Sequence, residues 1–73
     1  MSGRVIDARD LLPPEPLELT LSALDGIGAD DELILLLYRE PYPLYPILRE
    51  NGFSHRTESR TDGTFEIHIR RAR

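Results

Sequence analysis

The chain contains no cysteine. That absence excludes a disulfide framework, a cysteine-ligated zinc site and any chemistry that needs a thiol nucleophile or a persulfide on the chain itself. Lysine is missing too, so all nine cationic side chains are arginines. Genome composition explains such a bias as readily as function does, and no role is read from it. Long apolar runs are also lacking: none approaches the ~20 residues that a bilayer span requires. The opening segment Met1-Ser2-Gly3-Arg4-Val5-Ile6-Asp7 has no apolar stretch of the kind an export signal carries. A soluble, unexported, cytoplasmic protein with no membrane partner is therefore expected.

At 73 residues, 40% of them hydrophobic, the chain can enclose one compact core and not two, so residues 1–73 are expected to form a single domain. Cores of this size commonly supply only ~3–5 kcal/mol. A monomer or weak dimer is the expected state, with partners or self-association adding support. The net charge of −4 conceals an asymmetry: residues 1–32 hold eight acids against two arginines, whereas residues 33–73 hold seven arginines against five acids. An acidic total disfavours nucleic acid as a default partner.

Two β-branched residues in Arg4-Val5-Ile6-Asp7 suit a first strand. Leu17, Leu21 and Leu24 then recur at helical spacing, with Ala23 and Ile27 beside them, and predict an amphipathic helix. Pro14 and Pro16 fit its first turn, where backbone N–H groups have no internal partner to lose. A residue before proline avoids the α region, which places Glu15 just outside the helix. The helix should stop at Asp25-Gly26-Ile27-Gly28 with a left-handed glycine cap. Leu33-Ile34-Leu35-Leu36-Leu37-Tyr38 is continuously apolar and reads as an interior strand covered by helix on at least one face. A short helix is predicted from Leu44 to Asn51, capped by Gly52, with Phe53 packing back on its last turn.

The C-terminal third alternates: Phe65, Ile67 and Ile69 against Glu66, His68 and Arg70, with Asp62-Gly63 as a turn. Two hairpin registers are open. A two-residue turn turns Arg56 and Glu58 to the core; a three-residue Thr61-Asp62-Gly63 turn with a glycine bulge turns Phe53, His55 and Thr57 there instead. The second is preferred because it buries Phe53 and leaves the charges in water. The element order βαβαββ, with a right-handed crossover between the first two strands, predicts an α/β two-layer sandwich: a four-stranded mixed sheet with two helices on one face.

Asp7-Ala8-Arg9-Asp10, Leu12, Pro13-Pro14-Glu15-Pro16-Leu17 and Asp31-Glu32-Leu33, followed by Asn51-Gly52-Phe53 and the last strand from Phe65 to Arg71, resemble the TusA/SirA-like sulfur-carrier family over nearly the whole chain. The Pro41-Tyr42-Pro43-Leu44-Tyr45 segment is similar to an uncharacterised branch of that family. In the carriers the motif is Cys-Pro-x-Pro, whose cysteine sits at a helix N-terminus where the dipole and free N–H groups stabilise a sulfur anion. Here Pro13 occupies the cysteine's position while Pro14 and Pro16 match the two prolines. The resemblance thus implies the fold and argues against the activity.

The chain repeats itself once: Pro14-Glu15-Pro16-Leu17 and Pro41-Tyr42-Pro43-Leu44 both spell P-x-P-L at a helix start. Each follows a strand running in the same direction, so both should stand at one edge of the sheet. That edge, comprising Asp10, Pro13, Pro14, Glu15, Pro16, Arg39, Pro41, Tyr42, Pro43 and Tyr45, is the candidate interaction site for a protein partner or a small anionic ligand. No Ser-His-acid spacing marks a catalytic site, so no enzyme, cofactor or metal is expected. His55 and His68 should face opposite sides of the hairpin, the first partly buried with a hydrogen-bond partner and the second in solvent. Arg56, Arg60, Arg70, Arg71 and Arg73 should gather on the outer hairpin face and tail. Two further readings accompany the interaction module: docking in a sulfur relay without covalent transfer, and nucleic-acid binding through those arginines.

Overall fold

Six elements follow one another in the computed structural model, which describes residues 3–12 and 15–72: β1 (Gly3–Asp7), α1 (Glu15–Leu24), β2 (Glu32–Leu37), α2 (Leu44–Glu50), β3 (Phe53–Ser59) and β4 (Phe65–Arg71). They form the expected four-stranded mixed sheet in the order β1-β2-β4-β3. β1 lies parallel to β2, from Gly3 opposite Glu32 to Asp7 opposite Leu36, while β4 runs antiparallel to both β2 and β3. No helix among the described residues is long and apolar enough to cross a membrane.

The apolar run of β2 explains its central place. Leu33, Leu35 and Leu37 point to the helical layer and are buried there with Ile67 and Ile69 of β4. Ala23 and Leu24 of α1, Leu44 and Leu48 of α2, and Ala8 just beyond β1 complete the core. Ile34 and Leu36 point the other way and are only half-buried, because that face of the sheet carries no helix. Thr20 is the polar exception on α1; its buried hydroxyl donates to the Pro16 carbonyl at 2.7 Å.

Two local expectations are corrected. Glu15 is the first residue of α1 rather than outside it, its N–H bonded to the Leu12 carbonyl at 3.0 Å. Gly26 and Gly28 do not adopt left-handed backbone; among the described residues only Gly52 (φ 82°) and Gly63 (φ 90°) do. α1 ends instead in tight turns, with Gly26 N–H on the Ala23 carbonyl and Ile27 N–H on that of Leu24, so its last carbonyls are already satisfied. Gly28 serves close approach, since a Cβ there would stand 2.9 Å from an Asp31 carboxylate oxygen. Pro13 and Pro14 lie outside the described residues, so their place in the first turn is not among the structural findings.

The hairpin takes the preferred register. His55 lies opposite Ile69 and Thr57 opposite Ile67, and the turn closes with Arg60 N–H on the Thr64 carbonyl and Gly63 N–H on that of Arg60. Positive φ at Gly63 is what a three-residue turn with a glycine bulge requires. Asp62 supports it by accepting the Thr64 N–H at 2.9 Å, a bond that also holds its carboxyl below the usual value.

Leu48 is wholly enclosed. Leu48→Ala is expected to cost about 2–5 kcal/mol, comparable with the whole stability of a domain this small. Leu19→Ala, at a 43% exposed site on α1, should change stability by less than about 0.5 kcal/mol. Urea denaturation followed by circular dichroism distinguishes the two.

Candidate functional site

At the carboxyl ends of the parallel strands β1 and β2 the chain leaves the sheet twice, and both exits are tied down. Beyond β1, Arg9 folds back on Asp7 in a two-pronged ion pair, Nε to Oδ1 at 2.8 Å and Nη2 to Oδ2 at 2.7 Å. Its backbone N–H also reaches Asp7 Oδ1, at 3.2 Å. These bonds hold the Asp7 carboxyl down at about 2 and the guanidinium above its ordinary value. The guanidinium carbon lies 5.9 Å from the centre of the Tyr38 ring, which follows β2. The Asp62 carboxylate of the hairpin turn also acts on Arg9, placing that turn at the same edge.

Beyond β2, Glu40 and Tyr45 organise the second exit. The Tyr45 hydroxyl donates to Glu40 Oε2 at 3.0 Å and shares a 2.7 Å bond with the Thr57 hydroxyl of β3. Its ring stacks on His55, centroids 4.2 Å apart and planes 8° from parallel, and meets Tyr42 edge-on at 6.1 Å. Burial and the Glu40 carboxylate both push the Tyr45 hydroxyl above its usual pKa, with the Thr57 bond opposing. The hydrogen bond and negative charge of Glu40 do the same to Tyr42.

Of the sequence-identified edge, Asp10 lies in the exposed β1–α1 connection, Glu15 and Pro16 open α1, and Arg39, Pro41, Tyr42, Pro43 and Tyr45 span the exit of β2 and the start of α2. Pro13 and Pro14 lie outside the described residues. Tyr38 and Tyr42 are 54% and 67% exposed, and Leu12 is 76% exposed. Sequence reasoning missed Asp7, Arg9 and Tyr38 as members of this edge, and His55 and Thr57 of β3 as the supports of Tyr45. The Asp-x-Arg spacing at a strand end was a visible signal for the first two. Nothing local announces that Thr57 and His55 lie under Tyr45.

Both histidines differ from expectation. His55 is exposed and rests on Tyr45 by stacking. His68 faces the opposite side of the hairpin, as expected, yet its side chain is only 12% exposed because three carboxylates surround it. Nδ1 lies 3.4 Å from Glu32, and Nε2 lies 3.1 Å from Glu66 and 3.2 Å from Glu58. Arg56 pairs with Glu58 at 3.1 Å and Arg60 with Glu66. Burial pushes the Glu66 carboxyl up, but His68 and Arg60 outweigh it and hold it below its usual value. Donor atoms of Glu58, Glu66 and His68 lie within 4.8 Å of one another and could ligate a cation. Both carboxylates, however, already have an arginine. Arg71 is another correction: it lies over Phe53, 5.2 Å from the ring centre, and donates to the Ile27 carbonyl at 3.1 Å, rather than joining Arg56 and Arg60 on the outer face. Arg73 lies outside the described residues. A depression of about 200 Å³ lined by Gly3, Arg4, Ile27, Asp31 and Leu33 stands at the opposite, amino-terminal ends of β1 and β2.

Residues 5–71 match the family described as "Uncharacterized conserved protein (DUF2249)". The crystal structure of a SirA-like protein from Desulfitobacterium hafniense superposes with a TM-score of 0.84, at 20% identity, over 96% of this chain and 99% of that one. That likeness establishes a SirA-like fold. No curated protein matches in sequence.

Two measurements check this geometry. The folded Asp7 pKa is depressed from 3.8 to about 2, so the pair's stabilisation is present above about pH 4 and is lost as pH falls toward 2. Arg9→Gln should raise the Asp7 titration, followed by carboxyl-carbon NMR, toward the ordinary aspartate range near ~3.9, short of it by what the retained backbone bond contributes. Tyr45→Phe removes both hydroxyl bonds and should lower stability by about 1 kcal/mol in chemical denaturation.

Proposed function

We propose that this chain, which belongs to the DUF2249 family of uncharacterized conserved proteins, is a non-catalytic accessory domain that binds a protein partner through the edge at the carboxyl ends of β1 and β2. One observation carries the reading. Of the five large apolar side chains most exposed among the described residues, Leu12, Tyr38 and Tyr42 all belong to the connections leaving this edge. Exposed aromatic residues beside arginine are the composition of interface anchors.

The surface is also ordered in advance. Arg9 is held by Asp7 and lies against Tyr38, and Tyr45 is pinned between Glu40, Thr57 and His55. Pro41 and Pro43 stiffen the segment between them. Such a surface loses little conformational entropy on binding. The titratable groups here suit recognition better than proton transfer: Tyr42 and Tyr45 are shifted up and Asp7 down, all away from neutral pH.

The SirA-like fold supports a more specific version, in which the partner is a sulfur-relay enzyme and the domain occupies its carrier site. With no cysteine in the chain, that role involves no covalent sulfur. A small anionic ligand at Arg39 is a competing occupant of the same edge.

Affinity capture from native extract, followed by reconstitution with the purified partner, tests the reading. The Arg39→Ala/Tyr42→Ala double variant, with its fold verified by circular dichroism, is expected to bind that partner at least about tenfold more weakly. Equal capture by the variant and the wild type would remove this edge from consideration. Binding to a rhodanese-like or desulfurase protein would identify the sulfur-relay version.

A further inference from the structure

The order β1-β2-β4-β3 leaves β3 bonded to β4 on one flank and open on the other. Two bonds show which backbone groups point outward: Arg60 N–H to the Thr64 carbonyl and Ala72 N–H to the Gly52 carbonyl, both 2.8 Å. Bonded and non-bonded pairs alternate along an antiparallel ladder. Hence Ser54, Arg56 and Glu58 exchange bonds with β4, whereas Phe53, His55, Thr57 and Ser59 turn their N–H and C=O groups to the open flank.

Edge strands of monomers are commonly blunted by proline, lysine, a bulge or brevity. β3 has no proline, lysine or bulge, and its two charged side chains, Arg56 and Glu58, are of opposite sign. Its seven residues, Phe53-Ser54-His55-Arg56-Thr57-Glu58-Ser59, pair residue for residue with β4 without a bulge. α2 packs against β3, and no strand pairs with its outer flank.

We propose that this flank pairs with the same flank of a second copy of the chain, antiparallel about a two-fold axis through Thr57, continuing the sheet into eight strands. The charge pattern selects both partner and register. A two-fold axis through Arg56 sets arginine against arginine, and one through Glu58 sets glutamate against glutamate, each destabilising. An axis through His55 leaves Arg56 opposite Ser54, and one through Ser59 runs off the strand into the turn. Only the axis at Thr57 places Arg56 opposite the partner's Glu58, and does so twice by symmetry. These are non-bonded pairs, where side chains of facing strands approach most closely. His55, Thr57 and Ser59 then supply the bonded pairs.

This interface is separate from Arg39 and Tyr42 but shares Thr57, whose hydroxyl holds Tyr45, so the charge variants at Arg56 and Glu58 rather than Thr57→Pro tell the two readings apart. Sedimentation equilibrium of the full chain at rising concentration tests it. The wild type is expected to dimerise, Arg56→Glu to raise the dissociation constant roughly tenfold, and the swap Arg56→Glu/Glu58→Arg to restore it to within about threefold. Thr57→Pro should abolish dimerisation and keep the fold, because the Thr57 N–H makes no bond to β4. If that variant unfolds, the charge swap still decides. Arg39→Ala/Tyr42→Ala should leave self-association unchanged. A wild type that stays monomeric up to about 1 mM would overturn the proposal, as would a dimer indifferent to Arg56→Glu.

Discussion

Burial of one face of β2 governs most of this structure. Leu33, Leu35 and Leu37 contribute three of the enclosed side chains, and a strand this apolar is best served by neighbours on both flanks and helices above. β1 supplies one flank in parallel and β4 the other in antiparallel. A parallel neighbour next in sequence demands a crossover, which is why α1 exists where it does, and the crossover brings the carboxyl ends of β1 and β2 to a common edge. In a core this small no part is redundant. Of apolar side chains the helices contribute only Ala23, Leu24, Leu44 and Leu48 to the enclosed set.

The edge chemistry follows from that arrangement. Chains leaving two parallel strands at one end must turn over the top of the sheet, and each turn here is secured by a short-range polar contact: Arg9 on Asp7, and Tyr45 on Glu40. Because β4 is antiparallel to β2, the hairpin turn returns to the same end and adds Asp62. The Tyr45 bond to Thr57 then joins the second exit to β3, the strand farthest from β1. Arg9 and Tyr45 are therefore held by residues of β1 and β3, Asp7 on one side and Thr57 and His55 on the other, which suits a surface that recognises by shape. The helix-free face has a different character. There three carboxylates and two arginines enclose His68 and largely neutralise one another.

Particular residues show what could be anticipated. The alternation of Phe65, Ile67 and Ile69 and the glycine at position 63 were enough to choose the hairpin register, because one register buries charge and the other does not. Gly52 was readable as a cap for the same kind of reason, since a left-handed residue is needed where α2 meets β3. Gly26 misled because glycine after a helix has two uses, and here turn hydrogen bonds satisfy the carbonyls without it. His68 looked solvent-facing because its strand position is an outward one. What shelters it comes from Glu32 and Glu58 on the two neighbouring strands.

The sequence by itself determined the elements, their order, the parallel first pair, the inward face of the two hairpin strands and the absence of any thiol chemistry on the chain. Periodicity, turn residues and the absence of cysteine are local properties, readable a few residues at a time. Only the tertiary structure decided that β4 enters between β2 and β3, and so which flanks stay open. It also decided that His55 and Thr57 meet Tyr45, and that Arg71 turns away from the other arginines to Phe53. Those outcomes depend on contacts between side chains distant in the chain, selected by the packing of the whole core, and no local pattern encodes them.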